Sequence, residues 1–314
     1  MASTQQIKAR IKSVKNTKQI TKAMEMVAAS KMRRAQDATL ASRDYTLTAR
    51  QILTRLRELT DVSKHPLFTN RAVKSRILVV ITSDRGLAGA YNSNVLRRLT
   101  KELKSDLESG IKTELILIGK QAAKFSARVE GLNILGSYDR MPEKPTIGEL
   151  SPILQTVKNR FTGRIGDRRL EDEEGEGADP QSSILNPQSE LVDCVDVLFT
   201  DFKSSVVQEV AQTRLLPAAF SDAKVSEDLD NAIFEPSPKA VLDTVAERLV
   251  DVQLWQAYLE SQASEQSSRM LAMKTASDNA GDLIDDLTLA ANSARQSAIT
   301  QELAEITGGA EAMK

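Results

Sequence analysis

The sequence predicts an α/β protein: a long antiparallel coiled coil of the N- and C-terminal helices plus a Rossmann-like α/β globular domain. Three observations predict it. All nine prolines lie between Pro66 and Pro238, the first glycine is Gly86, and after Pro238 only Gly281, Gly308 and Gly309 occur. Both terminal segments carry apolar residues at steps of three and four. Between them, short apolar runs alternate with helical stretches. The division that follows is 1–60 and 238–309 for the coiled-coil helices and 70–220 for the globular domain, with an acidic loop at about 167–189.

Proline inside a helix costs about 3 kcal/mol and glycine about 1 relative to alanine, so a segment free of both is free to be one helix. The C-terminal segment opens with Ser237-Pro238, an N-cap followed by an N1 proline, and Gly308-Gly309 offers a stop. As one helix, Lys239 to Thr307 spans about 100 Å at 1.5 Å per residue. Its apolar or small positions are Val241, Val245, Leu249, Val252, Trp255 and Leu259, then Met270, Met273, Ala276, Ala280, Ile284, Leu287, Ala291, Ala294 and Ala298. Spacing sustained this far marks a coiled-coil seam. The N-terminal segment, Thr4 to about Leu59, carries Ile7, Ile11 and Val14, then Ile20, Met24 and Val27, then Leu40, Leu47, Ile52, Leu56 and Leu59. The stripe slips between Val14 and Ile20. A helix this long needs a second long helix to bury it, and the two terminal segments satisfy each other.

In the middle, Arg76 to Thr82, Leu115 to Gly119, Leu132 to Leu135, Val192 to Phe202 and Val206 to Leu215 read as strands. Leu87 to Ser109, Lys120 to Val129 and Ile147 to Phe161 read as a turn with a helix and two further helices. Strands alternating with helices indicate a largely parallel sheet, with the last two strands close enough for a hairpin.

Composition narrows the function. Net charge is −1 and aromatics are 4%, so no overall field or stacking platform argues for nucleic acid. One cysteine, Cys194, excludes an internal disulfide and reads as a structural thiol. No apolar run approaches the roughly 20 residues that span a bilayer, and 1–10 lacks the apolar stretch of a secretory signal. The chain reads as soluble and cytosolic in type. Residues 1–36 hold nine Lys or Arg against Glu25 alone, a basic helix whose face is solvated or meets nucleic acid, a membrane surface or an acidic protein.

Catalytic constellations are missing. The turn Thr82-Ser83-Asp84-Arg85-Gly86-Leu87-Ala88-Gly89 follows a strand, which invites a phosphate-loop reading. It matches neither GxGxxG nor GxxxxGK[ST], so a structural turn is the default and Asp84 and Arg85 are left as contact residues. The single histidine, His65, has no cysteine nearby, which argues against a metal site or a histidine-based triad. Glu171 to Gly177 is acidic, glycine-broken and without the EF-hand spacing.

Three separated stretches are similar to one known family. Lys18 to Met32 resembles the N-terminal signature of F-type ATP synthase gamma subunits. Thr82 to Gly89 with Asn92 resembles their central motif. Ser264-Glu265-Gln266, Arg269-Met270, Ala272-Met273 and Asn279-Ala280, then Arg295-Gln296 through Gly308-Gly309-Ala310, resemble their C-terminal helix. The likeness runs over nearly the whole chain in order. It implies the central rotor stalk of a proton-translocating synthase, filling the cavity of an alpha–beta hexamer. The globular part then stands with the epsilon subunit on the membrane c-ring, as a peripheral protein on the cytoplasmic face of a bacterial plasma membrane. It implies no cofactor and no catalytic residue. Arg295 and Gln296 then form a latch to beta, Met24, Lys22, Lys31 and Arg33 face beta, and Asp84, Arg85, Gly86 and Gly89 lie near the c-ring and epsilon. Ala291 and Ser293 depart from the aromatic and basic residues usual in the family, and the chloroplast redox insert expected after Leu215-Leu216-Pro217 is missing. A coiled-coil tether or an α/β enzyme using the Gly86–Gly89 turn are the rival readings.

Overall fold

The computed structural model describes residues 4–61, 65–142, 145–163, 191–218, 232 and 234–312. The acidic segment at about 167–189 lies outside them. Two helices dominate: α1, Thr4–Leu59, and a C-terminal helix, Pro238–Ala312. The C-terminal helix starts as its sequence dictates, with the Ala240 N–H donating to Ser237 Oγ at 3.3 Å and the Val241 N–H to the Ser237 carbonyl at 3.1 Å. It does not stop at Gly308-Gly309 but continues to Ala312. Two glycines cost about 2 kcal/mol together, whereas each added residue of an existing helix gains one backbone hydrogen bond without a new nucleus.

The chain forms two compact units: Met1–Lys31 with Leu87–Gly89 and Gln266–Lys314, and Met32–Gly86 with Ala90–Glu265. In the first, the helices run antiparallel, with Lys18 of α1 lying across Gly281; a Cβ there would sit 2.8 Å from Lys18 Nζ. The α1 register does not slip. Positions 7, 11, 14, 18, 21, 25 and 28 recur at strict steps of four and three, and all but Lys18 are partly or fully buried. Such a repeat imposes a left-handed supercoil. The expected stripe of larger apolar residues lies one position off and faces outward, with Ile20 58%, Met24 41% and Val27 54% exposed. The seam uses Thr21 and Ala28 because small side chains allow close helix approach, and the Thr21 hydroxyl satisfies itself on the Thr17 carbonyl at 3.1 Å. Opposite them, Met273, Ser277 and Ala280 are buried at heptad spacing.

The second unit is built on a five-stranded sheet of β1 (Ser75–Ile81), β2 (Lys112–Ile118), β3 (Asn133–Tyr138), β4 (Cys194–Phe202) and β5 (Gln208–Leu216), in the order β3-β2-β1-β4-β5. The pairs β1–β2, β1–β4 and β2–β3 are parallel, and β5 returns antiparallel beside β4, as the hairpin reading expects. The helices are α2 (Tyr91–Glu108), α3 (Lys120–Ser126), α4 (Ser151–Thr162) and α5, the C-terminal helix Pro238–Ala312. Odd-numbered β1 residues Ile77, Val79 and Ile81 face a core shared with Leu53 and Leu56 of α1, Ile153, Val157 and Phe161 of α4, and Leu242, Leu249 and Leu254 of α5. Even-numbered Leu78 and Val80 face Val95 and Leu99 of α2 and Ala122 of α3. Both faces are covered, which is why β1 reads as one continuous apolar run.

The second face changes character towards the start of the parallel strands. There Arg76 of β1 meets Asp106 of α2 at 2.6 Å, Glu102 of α2 at 3.4 Å and Asp196 of β4 at 3.3 Å. Asp196 also accepts from Gln212 at 3.2 Å and from Arg214 Nη2 at 3.3 Å on β5. Arg98 pairs with Glu102 at 2.8 Å. Three arginines thus neutralise three carboxylates beneath α2, and Arg76, Asp106 and Asp196 are buried. Beside them Cys194 is buried and free, and burial pushes its thiol up from 9.0 to about 11. A neutral thiol in this position is inert packing, as its sequence context suggests.

Candidate partner-contact site

The turn after β1 is organised by its own polar groups. Thr82 Oγ1 donates to the Ile118 carbonyl at 3.1 Å and accepts from the Ala122 N–H at 3.0 Å. The Ser83 carbonyl accepts from the Gln121 N–H at 3.1 Å, and Asp84 Oδ1 from the Lys120 N–H at 3.1 Å. The first N–H groups of α3 are therefore occupied by the turn, where a phosphate would need them open. Asn92 of α2 ties down Ser83, accepting from its backbone N–H at 3.1 Å and donating to its hydroxyl at 2.8 Å. Gly119, at φ +93°, has no alternative residue: a Cβ would lie 2.2 Å from the Thr82 carbonyl oxygen. The turn is thus a strut joining β1, β2, α2 and α3. Its tip stays outside the strut: Arg85, Gly86 and Gly89 are exposed, and Leu87 holds φ +63° with its side chain largely exposed. A left-handed leucine costs on the order of 1–2 kcal/mol.

In the first unit Leu87–Gly89 meets the C-terminal signature. Gly89, at φ +54°, lies against α5, its Cβ position 3.7 Å from Ala272 Cβ and 3.7 Å from the Ser268 carbonyl. Counting from the Lys18–Gly281 crossing, Met24 of α1 lies within about one helical turn of that level. The central and C-terminal motifs, some 180 residues apart in sequence, thus meet at Gly89 and Ala272. Ile20, Met24 and Val27 present an exposed apolar strip on one flank of the seam, and exposed Met26 and Lys22 lie on the other flank. Lys22 already holds Glu25 at 3.0 Å, so part of its charge is spent within α1. Lys31 is half-buried, and Arg33, in the second unit, is exposed.

Arg295 and Gln296 stand apart from this group, roughly 30 Å further along α5 at 1.5 Å per residue. Both are exposed, and the Gln296 carbonyl accepts from the Thr300 hydroxyl at 2.9 Å. Around them Leu289, Ile299, Leu303 and Ile306 are exposed. Among the described residues no three His, Cys, Asp or Glu side chains converge to hold a metal ion, and no helix is long and apolar enough to cross a membrane. Sequence reasoning passed over the Arg76–Asp196 layer. Its signal was present: Asp196 stands between Cys194-Val195 and Val197-Leu198-Phe199, and an aspartate flanked by apolar residues on both sides needs a buried cation.

A five-stranded α/β sheet unit and an antiparallel pair of long terminal helices define an α/β protein with a coiled coil. The family model described as ATP synthase matches residues 3–313. The ATP synthase gamma chain of Legionella pneumophila (strain Corby) is 35% identical over 315 residues, covering 100% of both chains. That of Nitrosococcus oceani is 39% identical over 316 residues with the same coverage. Among solved structures, a chain of the Tetrahymena thermophila mitochondrial ATP synthase central stalk and c-ring is 26% identical at a TM-score of 0.58, covering 82% of this chain and 99% of that one. A chain of the Euglena gracilis mitochondrial synthase has a TM-score of 0.63 at 18% identity, covering 99% and 94%. The chain belongs to the ATP synthase gamma chain family.

Proposed function

We propose that this chain is the central rotor stalk of an F-type ATP synthase, turning with a membrane c-ring inside an alpha–beta hexamer and holding no catalytic residue of its own. The observation that carries it is the antiparallel pair of a 56-residue and a 75-residue helix in a chain matched end to end by gamma chains. Length matters physically. Moving one charge through 100 mV is worth about 2.3 kcal/mol, and several such steps must reach each catalytic site. A single exposed ion pair is worth about 0–1 kcal/mol, so torque must pass through a stiff, sterically engaged rod.

In this reading Arg295 and Gln296 latch onto acidic loop residues of beta. Met24, Lys22, Lys31 and Arg33 face beta, and the exposed apolar strip beside Met24 adds contact area. Asp84, Arg85, Gly86 and Gly89 lie near the c-ring and epsilon, although Asp84 is already engaged in capping α3. The protein sits peripherally on the cytoplasmic face of a bacterial plasma membrane. Purification of the native complex tests the reading: recovery with alpha and beta partners supports it, and recovery without them overturns it. Arg295→Ala with Gln296→Ala should lower coupled synthesis while assembly persists, and wild-type rates would refute the latch.

A further inference from the structure

Within the second unit, α5 is held by the apolar core and also by two hydrogen bonds and one ion pair. Ser261 Oγ shares a hydrogen bond of 2.7 Å with the Tyr91 hydroxyl of α2. Ser264 Oγ donates to the Thr200 carbonyl of β4 at 3.1 Å. Asp251 Oδ1 pairs with Lys158 Nζ of α4 at 2.6 Å. Ser261 and Ser264 are fully buried. At 3.6 residues per turn, Asp251 lies roughly 80° and 140° around the helix axis from Ser261 and Ser264. The three contacts come from α2, β4 and α4, hence from both faces of the sheet.

Apolar packing is non-directional. A helix held by it alone can turn about its own axis or slide by one ridge at modest cost. Hydrogen bonds to fixed partners on α2 and β4, whose strength falls steeply with angle and distance, together with an ion pair to α4 on the other side, remove both freedoms. The seryl positions also repay explanation, since a buried hydroxyl must find a partner to offset its desolvation, and alanine would pack as well.

We propose that Tyr91–Ser261, Thr200–Ser264 and Lys158–Asp251 form a torque clamp. It fixes the azimuth and axial register of α5 in the sheet unit, so that load enters the helix without slip. The inference rests on the rotor reading and names the positioning residues through which the sheet unit grips its helix. Each hydrogen bond removed should raise slip under load about fivefold, the change expected from the net worth of one such bond.

The test uses membrane vesicles carrying the assembled synthase with wild-type chain, Tyr91→Phe, Tyr91→Phe with Ser261→Ala, or Lys158→Met. Unloaded ATP hydrolysis, gradient-driven synthesis at low and high opposing load, and the unfolding midpoint are measured together. Removing one hydroxyl leaves its partner orphaned; removing both restores packing and most of the lost stability but not the directional lock. The clamp predicts unloaded hydrolysis near wild type and loaded synthesis reduced about fivefold in all three variants, with the double variant still impaired although its midpoint recovers. Loaded synthesis that equals wild type, or that recovers along with the midpoint, overturns the clamp and leaves the rotor reading intact. Wild-type vesicles whose synthesis does not depend on this chain overturn the rotor reading itself.

Discussion

Asp196 offers the sharpest perturbation of the fold. Its side chain is buried, at 1% residue exposure, and accepts hydrogen bonds from Arg76, Gln212 and Arg214. Asp196→Ala removes one partner of a buried ionic layer, a change that costs about 3–5 kcal/mol when the charges left behind cannot escape. Two features place this case near the lower bound. Arg214 is only partly buried, with 43% side-chain exposure, and can turn to water. Arg76, at 7%, cannot, but keeps Asp106 at 2.6 Å and Glu102 at 3.4 Å. The expected loss is therefore about 3 kcal/mol. Arg76→Met alone should also destabilise, and with Asp196→Ala the double change should cost less than the sum, as expected for groups in one network. Urea unfolding followed by the fluorescence of Trp255, the single tryptophan, reads all three, because Trp255 packs against the sheet-unit core. A loss below about 1 kcal/mol for Asp196→Ala would refute the reasoning, since it would put the layer in the range of solvent-screened pairs.

Three further outcomes follow from the same geometry. Gly281→Ala should raise the stability of the helix pair by up to about 1 kcal/mol, because the only atoms in its way are the end of the Lys18 side chain; reduced helicity by circular dichroism would show that Lys18 is fixed there. Replacing 165–189 with a short Gly-Ser linker should leave the Trp255 midpoint unchanged or raised by about 1 kcal/mol. The reason is that the roots are already pinned: Leu191 lies against Gly163 and the Val192 N–H donates to the Arg160 carbonyl at 3.0 Å. A large drop would refute it. Cys194 should resist iodoacetamide at pH 8 until the chain unfolds. Because its folded pKa is raised, its contribution is intact below 9.0 and is lost as pH climbs towards about 11; stability flat across that window contradicts the assignment.

Much of this fold is written in where proline and glycine are absent. The long helices begin at Thr4 and Pro238, as the breaker map requires, and all five strands stand at the apolar runs that announced them. The α1 seam was harder to read. Following large apolar residues leads to Ile20 and Val27, which face outward, whereas the contact surface runs through Thr21 and Ala28. Close helix approach selects small residues, and a hydropathy pattern weights them least. The Gly308-Gly309 stop misleads for a related reason, because propensity is a weak prior beside an already formed helix. Arg76 and Asp196 are legible only as a pair, and their partnership depends on strand order: β1 and β4 are neighbours in the sheet although about 120 residues apart. The three signature stretches were each visible in the sequence, but the meeting of Gly89 with Ala272 depends on the tertiary fold.

Rotation of this chain inside its complex tests the central claim most directly. Leu107, at the end of α2, is 82% exposed, and Cys194 is buried, so Leu107→Cys supplies one reactive thiol for attaching a bead. In an alpha–beta assembly immobilised on glass, ATP should drive the bead in continuous one-way rotation. A bead that stays still while the same assembly hydrolyses ATP would contradict the account.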